Sequence, residues 1–377
     1  MSRDTAALID LAALRHNLNR VRELAPKQKV LALVKADAYG HGLIPAARAL
    51  AGADCLGVAH LDEAFELRDS GVNTPLLILE GAFDTRELMQ ISQQQIRMVI
   101  HSLEQIDMLE TTRISKPLSV WLKIDTGMNR LGVELKDVAL CIERLQSSGK
   151  VADITLITHF ACSDEPAHPL NKLQLERFLD VSAPYSFPRS MANSGGILFH
   201  PGSHFDWVRP GIILYGASPA GDSDGKKIGL KPVMTVRSEI IAIRQVSAGE
   251  PVGYGCHWVA ERDSVIGVVA IGYGDGYPRH AENGTPVLVN GKLVPLVGRV
   301  SMDMITVDLT DLQQSVKVGD PAVLWGDGLP VEEIAKYTDT ICYELLCQMT
   351  RRVNRVYLDV DNGAAVADES TVFASAV

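Results

Sequence analysis

The sequence predicts an eight-stranded parallel α/β barrel followed by a mostly β domain, and three observations carry that prediction. From residue 30 to about 216 one plan repeats: a short apolar run, one or two polar residues, then a helical pattern. There are eight such runs, the number at which alternating strands and helices close naturally into a barrel. Past a polar, glycine-containing break at 221–227 (GDSDGKK), strand-like runs continue without long helices between them.

The barrel strands are expected in VLALVKA (30–36), CLGVA (55–59), PLLILE (75–80), IRMVIH (96–101), SVWLKID (119–125), ITLITHF (154–160), RSMANS (189–194) and WVRPGIILYG (207–216). Between them Ile44–Ala51, Asp62–Asp69, Thr85–Ser92, Val133–Gln146 and Asn171–Val181 place apolar residues at helical spacing. The second part offers MTVRSEIIAI, SVIGVVAIG, TPVLVNGKLVPLVG, MITVDL, PAVLWG and RVNRVYLDV, with Asn290-Gly291 as a two-residue hairpin turn. The expected organisation is a barrel over 1–225 and a β domain over 226–360, a first strand near 5–10 having the β domain as its alternative place. The tail, 361–377, is small and acidic without periodicity, so no order is expected there.

The chain has 377 residues, 46% of them hydrophobic and 22% charged, which suits two domains with large cores. A net charge of −10 with scattered Lys and Arg argues against a nucleic-acid partner, which needs a basic face. No apolar stretch of about 18 residues is present to span a bilayer. The opening MSRDTAALID lacks the basic segment and apolar run of a secretory signal, so the cytoplasm is the expected location. Six cysteines stand without metal-ligand spacing and read as reduced thiols, and no metal site is expected.

Barrel enzymes place their chemistry at the carboxyl ends of the strands, which here carry Lys35, Lys123, Asp125, His159, Asn193, Ser194 and Arg209. Taken alone, Lys35 is a strand-end lysine reaching water, and Lys123 an ion-pair partner of Asp125. The company changes that reading for Lys35. It is followed by the small-residue loop Ala36–Gly42, and Asn193-Ser194-Gly195-Gly196 and Arg209-Pro210-Gly211-Ile212 stand at strands seven and eight. Glycines there let backbone N–H groups approach an anion, and barrels often bind phosphate at those loops.

Along the chain VKADAYGHG, LKIDTGMNRLG, THFACSDE, MANSGG, WVRPGIILYG, VGYG, IGYGDGYPR, GRVSMDM and CYELLC occur in that order, and together they resemble the alanine racemase family over residues 4 to 359. The resemblance implies a barrel bearing pyridoxal 5'-phosphate, a β domain, alanine as substrate, and a head-to-tail homodimer whose active sites are shared between subunits. Lys35 matches the lysine that carries the cofactor; Tyr39, Ser194, Gly211, Ile212 and Tyr343 match the residues that hold its phosphate; Arg209 matches the partner of the pyridine nitrogen. An arginine does not give up its proton, so the implied ring is neutral, a weaker electron sink that favours prompt reprotonation of the α-carbon.

Racemisation needs proton exchange on both faces of the substrate, hence two groups. Lys35 is one, and Tyr254 of the partner subunit matches the other, its phenol tuned through a Tyr254–His159–Arg209 chain. Lys123 matches a carbamylated lysine that orients Arg130, itself matching the contact to the cofactor phenolic oxygen and the substrate carboxylate. Met302 and Asp303 match a partner-subunit loop whose backbone reaches that carboxylate, with Ser301 where the family often has cysteine. Tyr273, Arg279 and Arg299 match the access channel, and Tyr273 with Tyr343 leaves little room beyond a methyl group.

A pyridoxal phosphate-dependent decarboxylase of the same architecture is the enzymatic alternative; Arg209 in place of an acid, and no cysteine near Tyr254 except Cys256, argue against it. A non-catalytic, single-barrel carrier of the cofactor lacks the β domain and with it Tyr254 and Met302. Synthesis of D-alanine for cell wall and its breakdown as a nutrient fit the pattern equally.

Overall fold

The computed structural model describes residues 3–221, 223–312 and 315–359, with one further strand at 364–366. It divides into two compact units: Asn17–Ala38 with Leu43–Leu214, and a second made of residues up to His16, Tyr39–Gly42 and residues from Tyr215 onward.

The strand β1 (Ala6–Asp10) belongs to the second unit. In the first, β2 (Lys29–Leu33), β3 (Cys55–Val58), β4 (Leu76–Ile78), β5 (Arg97–Ile100), β6 (Leu118–Lys123), β7 (Val151–Ile157), β8 (Arg189–Ser190) and β9 (Trp207–Val208) form a closed barrel. All neighbours are parallel, and β9 returns to β2 through Lys29↔Trp207 and Val30↔Val208. Val30, Leu31, Leu56, Leu77, Val120 and Leu156 are fully buried, as parallel strands covered on both faces require.

Three expectations are corrected. The run 207–216 is not one strand: β9 stops at Val208, Arg209-Pro210-Gly211 leaves the sheet and Ile212–Tyr215 is a 3-10 helix, since a proline without an N–H cannot continue the ladder. Likewise only Arg189–Ser190 of the run 189–194 is strand. Nor does Lys35 end a strand: β2 finishes at Leu33, and Lys35 opens a short helical turn, Lys35–Gly40.

That turn is left-handed. Ala36, Asp37, Ala38 and Tyr39 have φ of 54°, 54°, 52° and 55°. For residues with a Cβ this conformation costs roughly 1–2 kcal/mol each, so the surroundings must hold it. Ala36 N donates to Glu63 Oε1 at 2.7 Å, Ala38 N to Val34 O at 2.9 Å, and Leu43 N to Asp37 Oδ1 at 2.8 Å.

The second unit continues with β10 (Met234–Val246), β11 (Pro251–Val252), β12 (Trp258–Val259), β13 (Ser264–Val269), β14 (Pro286–Val289), β15 (Lys292–Pro295), β16 (Ile305–Asp308), β17 (Pro321–Trp325), β18 (Asn354–Asp359) and β19 (Ala364–Val366). Its main sheet runs β15-β14-β17-β10-β1-β18-β19, with β13 bridging β10 to β16. β1 lies antiparallel to β10 and parallel to β18. Asn290 and Gly291, φ 48° and 75°, turn the β14–β15 hairpin as its primed turn requires.

Two short helices, Val331–Tyr337 and Cys342–Cys347, lie among these strands, in keeping with a mostly β unit without long helices. β19 pairs with β18 inside the stretch for which composition predicts no order; 360–363 and 367–377 lie outside the described residues. Among the described residues no helix is long and apolar enough to cross a membrane.

Candidate active site

Arg209, directly after β9, is 2% exposed. Its Nη1 donates to Ser190 Oγ at 2.8 Å; its Nη2 donates to Thr158 O at 2.7 Å, Met191 O at 3.2 Å and His159 Nδ1 at 3.1 Å. Burial pulls the guanidinium down to about 9, still above neutrality, so it stays charged. Because arginine only donates, His159 Nδ1 must accept, which puts the imidazole proton on Nε2. Burial, then Arg209, Lys123, Arg130 and Lys35, push His159 well below its ordinary value and keep it neutral. None of these Arg209 bonds uses Nε.

Lys123 ends β6. Burial, then Arg209, Arg130 and Lys35, lower its amine to about 8, with Asp125 opposing the shift. The Lys123–Asp125 ion pair that spacing allows is not formed. Instead Asp125 Oδ1 accepts from Gly127 N at 2.8 Å, Met128 N at 3.0 Å and Asn129 N at 3.2 Å, fixing the loop that leads to Arg130. Four cations therefore act on one another at this end of the barrel, beside a carboxylate already engaged with its own backbone. Such a site calls for anions.

Asn193 caps the helix Ser194–Phe199, its Oδ1 accepting from Gly196 N at 2.9 Å and Ser163 Oγ at 2.8 Å. Its side-chain oxygen thus fixes the helix start. Ser194 Oγ accepts from Gly211 N at 2.9 Å, which ties the two glycine-bearing loops together. A Cβ on Gly195 would lie 2.7 Å from Ser163 O, so only glycine permits this approach. The N–H groups that open this helix and the one at Ile212 have no acceptor within their own helices.

In the second unit Tyr39 stacks on Tyr215, with ring centroids 4.6 Å apart, and lies 6.1 Å from Tyr343. Burial, then Tyr343 and Cys347, raise its pKa, so its phenol remains a donor. Tyr254 is 70% exposed in a turn where Gly253 and Gly255 have φ of 77° and 73°. With Arg299, Ser301 and Met304 it lines a cavity of about 360 Å³. Arg279 and Arg299 line a second, of about 530 Å³, with His257 and His280. The Met302 loop is held by Tyr273 N donating to Ser301 O at 3.1 Å and Gly274 N to Met302 O at 2.8 Å.

Family models for the alanine racemase N-terminal and C-terminal domains match residues 9–219 and 233–357. The chain belongs to the alanine racemase family. Its members are pyridoxal phosphate-dependent isomerases. It is 52% identical over 354 residues to the biosynthetic alanine racemase of Escherichia coli, covering 93% of this chain and 98% of that one. The crystal structure of the biosynthetic alanine racemase of Pseudomonas aeruginosa is 46% identical with a TM-score of 0.92, covering 95% of this chain and 100% of that one. That of the Bartonella henselae alanine racemase, with covalently bound pyridoxal phosphate, is 32% identical with a TM-score of 0.84 and the same coverage.

Several residues that hold Arg209 and the turn after Lys35 in place are not singled out by the sequence. Thr158, Ser190 and Met191 anchor Arg209 mostly through backbone carbonyls, which no side-chain motif reveals. Glu63 reads as an ordinary acid in the first turn of a helix, yet it accepts from both Ala36 N and Ala59 N.

Proposed function

We propose that this chain interconverts L-alanine and D-alanine by a two-base mechanism, with pyridoxal phosphate on Lys35 and Tyr254 supplied by the partner subunit of a homodimer. The observation that carries the reading is Arg209, buried and anchored through both Nη atoms while its Nε–H takes no part in those bonds. A donor that cannot lose its proton suits an aromatic nitrogen that must stay unprotonated.

The donor set fits the cofactor. Ser194, Gly211 and Ile212, with Tyr39 and Tyr343, would hold the phosphate, and Asn193 would fix the helix start beneath it. When bound, pyridoxal phosphate supplies the electron sink that makes the α-proton of an amino acid removable. Arg130, whose planar fork suits a carboxylate, would receive the substrate carboxylate with the Met302 backbone. Carbamylation of Lys123 would turn a cation without a carboxylate partner into an anion facing Arg130. A neutral His159 with its proton on Nε2 can donate to a phenolate oxygen, which is what a tyrosine base at Tyr254 requires.

Tyr254→Phe should retain the cofactor yet stop exchange on one face, whereas Lys35→Ala should lose both the cofactor linkage and the base on the other face. Mixing the two inactive proteins should form hybrid dimers with one site carrying both lesions and one carrying neither, so activity returns in part. Demonstrated subunit exchange with activity still at zero sinks the shared site.

A further inference from the structure

The loop that bears Met302 and Asp303 is not held by its backbone alone. Asp275 is fully buried, with its carboxylate surrounded by donors: Arg3 Nη1 reaches Oδ2 at 2.9 Å, Arg3 Nη2 reaches Oδ1 at 2.6 Å, and Gly272 N donates to Oδ2 at 3.0 Å. Arg352 Nε lies 3.3 Å from Asp275 Oδ1, while its Nη2 donates to Asp303 Oδ1 at 2.5 Å. The guanidinium of Arg352 therefore spans from a buried anion to the exposed loop.

The backbone is shaped around this span. A Cβ on Gly274 would lie 2.3 Å from Arg352 Nη1, and one on Gly272 would lie 2.2 Å from Ser301 O, so both glycines allow the loop and the arginine to approach. Thr350 ties the far side, its N donating to Asp275 O at 3.0 Å and its Oγ1 to Gly274 O at 3.0 Å. Ser301 Oγ donates to Met304 O at 2.7 Å and closes the loop on itself. Four charges alternate in sign along Arg3, Asp275, Arg352 and Asp303. Asp303, the end of the chain, has its side chain 52% exposed, and its direct partner is Arg352.

We infer that Arg352 and Asp275 are positioning residues for catalysis: through Asp303 they set the height of the Met302 backbone that receives the substrate carboxylate. This rests on the reading of that loop given under Proposed function. A buried aspartate with two arginines is a stiff reference point, because moving either cation leaves a desolvated charge unmatched. A loop hung from it keeps its place whether or not a carboxylate is bound, which lowers the ordering cost of binding.

The test compares the wild-type holoenzyme with Asp303→Asn, Arg352→Gln and the double variant. Each is assayed for kcat and KM on alanine, for competitive inhibition by acetate, and for the rise in Tm that acetate produces. Arg352→Gln should raise KM and the acetate inhibition constant together, on the order of tenfold, with kcat changing less than about threefold and the cofactor absorbance unchanged. Asp303→Asn should shift the same two constants in the same direction, and the double variant should be no worse than Arg352→Gln, since both remove one contact. Asp303 is a surface residue, so its variant folds even if Arg352→Gln does not.

An active wild type whose variants lower Tm while KM and acetate inhibition stay within about twofold overturns the inference, the network then being structural only. Independent, additive effects of the two substitutions overturn it as well. A wild-type protein that racemises no alanine, or that acetate does not inhibit, instead removes the reading of the loop, and the inference falls with it.

Discussion

Arg209 Nη2 donates to His159 Nδ1 at 3.1 Å, and that one bond fixes the protonation of the whole arrangement. The arginine can only give, so the imidazole can only receive at Nδ1 and carries its hydrogen at Nε2. Arg209→Lys keeps the charge and loses the fork. It should cost about 2–4 kcal/mol of stability, because Thr158 O, Met191 O and Ser190 Oγ lose buried donors. It should also lower kcat/KM by about 100-fold or more. Chemical denaturation and steady-state assays check both, and a stable, fully active lysine variant would show that the fork is dispensable.

His159 also gives a pH dependence of stability. Its folded pKa lies well below the ordinary value near 6.5, so below that value the unfolded chain binds a proton that the folded protein does not. Stability is therefore complete above the unfolded pKa and declines as pH falls toward the folded one, by at most about 1.4 kcal/mol per pH unit. His159→Gln should flatten that part of the profile between pH 7 and pH 5.5 (roughly the window in which free histidine titrates). Equal slopes for the two proteins would count against a buried neutral imidazole.

Lys123 should take up carbon dioxide in a pH-dependent way. Only the neutral amine adds carbon dioxide, and with the amine near 8 the neutral fraction falls about tenfold for each pH unit below that. Protein freed of carbon dioxide at mildly acidic pH should lose activity and regain it with bicarbonate at higher pH. Labelled bicarbonate should appear as one carbamate carbon that is missing in Lys123→Ala. An amine that stays unmodified at saturating bicarbonate refutes the assignment.

The left-handed turn after Lys35 should respond to substitution opposite to a normal helix. Ala36 is exposed, so changes there report on the backbone alone. Ala36→Gly should leave stability unchanged or raise it by up to about 1 kcal/mol, where the same change within a right-handed helix lowers it by a similar amount. Ala36→Val should lower it by about 2 kcal/mol, since a β-branched residue is least tolerant of positive φ. Thermal melts of the three proteins decide the order.

The barrel was legible because its signal is redundant: eight apolar runs alternating with helical spacing survive errors in any one of them. Strand ends were not. Lys35 follows the apolar run 30–34 without a break, and nothing in ADAYGHG announces that four non-glycine residues turn left-handed, because Glu63, which accepts from Ala36 N, holds that turn from outside the local pattern. The same holds for Arg209, which reads as part of a strand until Pro210 and Gly211 end the ladder. The helix Leu103–Thr111, not among the helical segments read from the sequence, did carry a start signal, Ser102 accepting from Gln105 N. The candidate site residues were read from family motif, whereas Thr158 O and Met191 O, which hold Arg209, were not, since carbonyls leave no trace in a sequence, and Glu63 was not because its carboxylate reads as an ordinary helix acid.

The place of β1 bears on how the chain is made. Ala6–Asp10 lies between β10 and β18, so this middle strand is synthesised well before the other members of its sheet, which begin at residue 234. The eight barrel strands are all synthesised before β1 meets its first partner. Until then it is an apolar edge with unpaired N–H and C=O groups on both sides, the kind of surface that recruits stray strands and chaperones. β1 is the strand that joins β10 to β18, so a fragment starting after Asp10 would leave those two strands facing a gap one strand wide.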